Sequence, residues 1–152
     1  MLTNHDIIGL LLAVLCGAII GLEREFSGKA AGLRTNTLIC LGAAVFTIVS
    51  KYMGAPSLDS QTRIAAGIVT GVGFLGAGAI LHDRAGVLGL TTAATIWLVS
   101  SIGLACGAGM YELALVATGI SLIVLFGLRR VEGFINKLRK NKKSQSEQRA
   151  AD

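Results

Sequence analysis

The sequence predicts an all-α fold, a polytopic transmembrane helical bundle of about five spans that ends in a short basic cytoplasmic tail. Three observations lead there. Hydrophobic residues make up 53% of the 152-residue chain and its mean hydropathy is +0.68, too apolar for a soluble domain carrying a single anchor. The apolar residues fall into five runs separated by charged or glycine-rich turns. The net charge of +5 is uneven: residues 1–128 hold six basic and six acidic residues, so the whole excess lies from Arg129 onward. Residues 1–128 therefore read as a membrane domain, and residues 129–152 as a basic tail.

The first run, Ile7 to Leu22, has 16 residues. It spans only about 24 Å against a hydrocarbon core of about 30 Å, so its ends must sit at the interfaces. Along it Gly9, Ala13, Gly17 and Gly21 recur every fourth residue, a ridge of small side chains on which another helix can pack closely. The second run is Thr37 to Met53. The third, Ile64 to Leu81, carries no charge and contains GVGFLGAG from Gly71 to Gly78. That string matches the dinucleotide fingerprint, which needs a strand before it, a helix after it and an acidic partner about 20 residues on. None of that context is present. In hydrocarbon Gly71, Gly73, Gly76 and Gly78 instead permit close helix approach or a shielded break. The fourth and fifth runs, Val87 to Cys106 and Met110 to Leu128, are joined by a turn so short that they must form an antiparallel hairpin. A four-span alternative merges the third run or lets it re-enter.

Charge placement sets the expected orientation. With the tail inside, the inner segments hold Arg24, Lys29, Arg34, Arg84 and the eight basic residues of the tail, which is twelve of the fourteen Lys and Arg; only Lys51 and Arg63 lie outside. The positive-inside rule then selects an outside amino terminus and a cytoplasmic carboxyl terminus. No cleavable signal peptide is expected, because the first basic residue follows the first apolar run. In the tail Val131, Phe134, Ile135 and Leu138 share one helical face opposite a basic one. The pattern fits a helix lying on an anionic leaflet, or equally a solvated stop-transfer tail. From Asn141 the composition reads as disordered.

Candidate functional residues gather on one side. The segment ends and loops there hold Glu23, Arg24, Glu25, Lys29, Arg34, Thr35, Asn36, His82, Asp83 and Arg84, with Thr91 and Thr92 opening the fourth run. On a helix continued past Leu22, Arg24 falls on the Gly17 and Gly21 face, while Glu23 and Glu25 differ in direction by about 160° and cannot chelate one ion. Pairing of Arg34 or Arg84 with Glu23, Glu25 or Asp83 would tie the loops into a charge network. The plainer reading is interfacial charges that end a span. Cys16, Cys40 and Cys106 lie in apolar runs without metal-ligand spacing and read as small apolar filler.

Four strings in order, GLERE at Gly21 to Glu25, GKAAGLRT at Gly28 to Thr35, GFLGAGAI at Gly73 to Ile80 and GLTTAATIW at Gly89 to Trp97, give the chain from about Gly17 to Leu128 a close resemblance to the MgtC/SapB family of bacterial inner-membrane proteins. The resemblance implies a five-span domain linked to growth at low magnesium and, in some members, to survival inside phagocytes and restraint of the membrane ATP synthase. Longer members continue into an ACT-like cytoplasmic domain not found before Asp152. Within this frame Gly17, Gly21, Gly71, Gly73, Gly76, Gly78, Thr91, Thr92 and Trp97 are candidates for helix packing or a pathway.

The expected function is non-enzymatic: regulation of other membrane proteins in magnesium limitation or stress, with the bilayer, such proteins and a second copy as partners. No cofactor or nucleic acid is expected, and the sequence assigns no metal site. The rival reading is a transporter of Mg²⁺ or another small solute. Against it, the six acidic residues of the membrane domain all lie near segment ends, whereas a divalent-ion route normally needs polar groups near the midplane. No nucleophile, base and orienting group can be assembled from the motifs, which disfavours an enzyme.

Overall fold

The chain enters its first helix through a capping box. In the computed structural model, which describes residues 2–53, 58–83 and 86–149, with side chains for 2–53, 62–80 and 86–130, Thr3 is extended. Its hydroxyl accepts the Asp6 N–H, and the Asp6 carboxylate accepts the Thr3 N–H at 2.9 Å. These reciprocal bonds satisfy donors that every helix start leaves open. Helix α1 then runs Asn4–Phe26, followed by α2 at Leu33–Met53, α3 at Leu58–Gly78, strands β1 at Leu81–Asp83 and β2 at Gly86–Leu88, α4 at Leu90–Gly107 and α5 at Tyr111–Arg149. The protein is an all-α membrane bundle. Among the described residues, α1, α2, α4 and the Tyr111–Arg130 part of α5 are long and apolar enough to cross a membrane, and Thr62–Gly78 of α3 is a shorter apolar helix.

Two compact units divide the chain, residues 1–118 and 119–152. In the first, α1, α2 and α4 form the packed centre, and α3 lies against α4 and α2. Ala13, Cys16 and Ile20 of α1 meet Cys40 and Ala44 of α2 and Val99, Ile102 and Cys106 of α4 in a core that is nearly solvent-free. Glycines set how closely these helices approach. A Cβ at Gly17 would stand 2.8 Å from the Cys40 Cβ and 2.9 Å from the Asn36 carbonyl oxygen; one at Gly21 would stand 2.7 Å from the Leu33 Cα. On α4, Gly103 and Gly107 lie against the backbone of α2 at Cys40 and Ala44 in the same way. The three buried thiols all belong to this core.

One expectation needs correction. The third and fourth apolar runs do not stay helical to their ends: Leu81 pairs with Leu88, and His82 with Val87, in a small antiparallel hairpin. Gly89 shows why the helix waits until Leu90. Its φ is +90°, and a Cβ there would strike the Ala79 carbonyl oxygen, so only glycine lets the hairpin fold back against the end of α3. In the second unit the helix continues to Arg149 through the stretch from Asn141 that reads as disordered by composition. Lys, Gln, Glu and Arg are good helix formers, and no proline interrupts them.

Candidate functional site

At the end of the bundle where α1 stops and α2 and α4 start, polar side chains are buried. Arg24 sits in the last turn of α1 on the face of Gly17 and Gly21, so the same close packing that seats the glycines carries its side chain inward. It is 4% exposed, and its Nη2 donates to the Thr92 hydroxyl in the first turn of α4 at 2.9 Å. A cation in the last turn of a helix also faces the negative end of the macrodipole. Glu23, also 4% exposed, accepts the Ser27 hydroxyl on Oε1 at 2.5 Å. Its Oε2 is buried and accepts no hydrogen bond among the described residues.

Glu25 turns the other way. It is exposed, and its Oε2 accepts the Leu33 N–H at 3.1 Å, so it caps the start of α2 across the loop. The loop reaches that position through two left-handed residues, Gly28 at φ +62° and Ala31 at φ +57°. Asn36, wholly buried one turn into α2, holds the loop from below: its Nδ2 donates to the Gly32 carbonyl at 3.1 Å and to the Ala31 carbonyl. Its Oδ1 is buried and, among the described residues, accepts nothing. Three helix ends are thus joined by side-chain contacts, α1 to α4 through Arg24 and Thr92, and α1 to α2 through Glu25 and the loop that Asn36 supports.

The remaining sequence candidates are more dispersed. Lys29 and Arg34 are exposed, and among the described residues neither forms an ion pair with Glu23 or Glu25. Asp83 is placed by its backbone in β1, and Arg84 lies outside the described residues. Thr91 is exposed and its carbonyl accepts the Thr95 hydroxyl; Trp97 is 54% exposed on the outer face of α4. Gly76 touches Ala93 of α4 at ordinary contact distance, whereas a Cβ at Gly71, Gly73 or Gly78 would meet nothing within 4 Å.

Ser27 joins the site although sequence reasoning did not select it, and Asn36, counted in the sequence only among the polar residues of that side, becomes the support of the loop. An asparagine at the start of an apolar helix was the available signal, since an amide there must find partners. Also missed was a second polar knot at the opposite end of the bundle. There the buried Asp6 pairs with Lys51 at 2.8 Å and accepts the Tyr52 hydroxyl at 2.5 Å, while the Tyr111 hydroxyl donates to the His5 carbonyl. The Thr-x-x-Asp spacing of the capping box was its visible sign. Among the described residues, no group of three or more His, Cys, Asp or Glu is placed to hold a metal ion.

Comparison with known proteins agrees with this architecture. The model of the MgtC family matches residues 10–134. The chain belongs to the MgtC family. MgtC of Salmonella typhimurium strain LT2 is 50% identical over 138 residues, covering 91% of this chain and 58% of that protein. YhiD of Escherichia coli K12, whose name proposes a magnesium transporter, is 50% identical over 130 residues, covering 82% of this chain and 60% of YhiD. An uncharacterized Synechocystis protein is 42% identical over 133 residues, covering 88% of this chain and 56% of its own. The chain therefore spans about three fifths of the length of these MgtC-family relatives. No solved structure matches it significantly. The family and the apolar helices together make it a multi-pass membrane protein.

Proposed function

We propose that this MgtC-family protein acts in magnesium limitation by binding and regulating other proteins of the bacterial inner membrane, with no group-transfer chemistry of its own and with its polar helix-end joint toward the cytoplasm. The observation that carries this reading is the closed centre of the bundle. Ala13, Cys16, Ile20, Cys40, Val99, Ile102 and Cys106 fill it, and glycines bring the helix backbones together around it. A hydrated divalent cation keeps several of its waters and needs oxygen ligands along its way. The apolar side chains at the centre leave no room for such a hydrated ion, and the buried oxygen groups along the helices there are hydroxyls such as Thr95 and Ser100 rather than carboxylates. Polar groups are instead fixed at the helix ends, where the exposed Glu25, Lys29 and Arg34 beside the buried joint can be reached by a neighbouring membrane protein.

The name of YhiD, which proposes a magnesium transporter, supports the link to magnesium. The family resemblance supports the membrane ATP synthase as a candidate partner, and a second copy of the chain is another. A transporter remains the second reading, favoured by the buried Glu23 Oε2 and Asn36 Oδ1, which accept no hydrogen bond among the described residues. Reconstitution of the purified chain into vesicles enclosing a magnesium-sensitive dye separates the two. A regulator leaves the Mg²⁺ leak at the protein-free rate, whereas influx that rises in proportion to protein content establishes the transporter.

A further inference from the structure

The face between α2 and α3 is packed differently from the core. An apolar groove of about 750 Å³ runs along it, floored by Gly42, Gly67 and Gly71 and walled by Phe46, Ile68 and Leu75. It is a space rather than a contact: a Cβ at any of the three floor glycines would meet nothing within 4 Å. Arg63 lines the groove toward the end where α3 begins and is the one charged residue among the described residues that line it. The rise from Arg63 to Leu75 is about 18 Å at 1.5 Å per residue, close to the roughly 15 Å depth of one leaflet of the hydrocarbon core.

We infer that this groove binds one acyl chain of an anionic phospholipid whose phosphate lies on Arg63. Shape and charge both favour that occupant. A single-leaflet depth bounded by a guanidinium at the interface reproduces the layout of a phospholipid, with its anionic head over its apolar chain. Arginine is suited to the head because its planar fork presents paired donors to phosphate oxygens. A bound chain would also supply α3 with contacts that the glycine floor cannot, holding it beside α2 while it rests on α4.

The test is native mass spectrometry of the full-length chain in mild detergent, supplemented with phosphatidylglycerol or phosphatidylcholine. The wild type should retain one phosphatidylglycerol per chain and several-fold less phosphatidylcholine. Arg63→Gln removes the charge at an exposed position, and Gly71→Phe fills the groove from a position where an added Cβ meets nothing within 4 Å, so both variants should fold. Each should lower retention at least fivefold, while Gly73→Phe, which does not line the groove, should retain lipid like the wild type. Unchanged retention in Arg63→Gln and Gly71→Phe overturns the assignment, as does equal retention of both lipids. A lipid-free dimer that Gly71→Phe dissociates also overturns it, because the groove then receives a second copy of the chain.

Discussion

Arg24 shows how one residue can be both interfacial and structural. Its place in the last turn of α1 is ordinary for a cation at a span end, yet it is 4% exposed and donates to Thr92 at 2.9 Å. Truncation would leave the threonine hydroxyl in a buried site with one partner fewer, a cost of about 1–3 kcal/mol when a buried polar group loses its bond. A double-mutant cycle between Arg24→Ala and Thr92→Val, followed by thermal unfolding in detergent, should therefore give a coupling of about 1 kcal/mol or more. Additive effects would mean that the pair does not interact. Burial also alters what the single variants report. An Arg24→Ala phenotype mixes folding with activity, whereas Glu25 is exposed. Glu25→Ala should accumulate near wild-type levels yet fail to complement a deletion strain at low magnesium; full complementation would reduce Glu25 to a cap on α2.

At the scale of the helix, glycine has two opposite uses in this chain. On α1 and α4 it lets backbones touch. On α3 it leaves space. Gly17→Leu and Gly21→Leu should each lower stability by about 1–3 kcal/mol or more, the range for overpacked interiors, because backbone atoms of α2 stand where the new side chain must go. Gly73→Leu should cause no loss, since nothing lies within 4 Å of its Cβ position. Thermal shifts in one detergent provide the comparison, and equal losses at all three positions would contradict the packing described. The first-span ridge was legible because a four-residue repeat of small side chains marks a helix contact whichever helix supplies the partner. The α3 glycines share the same local pattern, and only their neighbours distinguish them.

Across the whole molecule, polarity collects at two ends of an apolar body. One end holds Glu23, Arg24, Asn36 and Thr92; the other is tied by Asp6, Lys51 and Tyr52. In the sequence reading twelve of the fourteen basic residues fall in the segments assigned to the inner side, which predicts that those segments face the cytoplasm. A phosphatase and β-galactosidase pair of reporters fused after Asp152 should be active only in the β-galactosidase form. Phosphatase activity there would reverse the orientation and place the Arg24 joint outside the cell.

Composition and the spacing of charge were enough for the fold class and for the number and approximate limits of the helices. Those properties follow from the cost of exposing backbone and charge to hydrocarbon, a cost each segment meets by itself. The four quoted strings were likewise enough for the family. Tertiary structure decided the rest. The sequence placed Arg24 on the glycine face but could not show that Thr92, 68 residues away, would receive it; nor could it show that Glu25 would cap α2 instead of pairing with Arg34. It counted Asn36 among the polar residues without showing that its amide would hold the α1–α2 loop, and it ran two apolar segments as helix through positions that a hairpin occupies. Each of these outcomes depends on which neighbour lies within 3 Å, and that is set by the packing of separate helices rather than by the periodicity of any one of them.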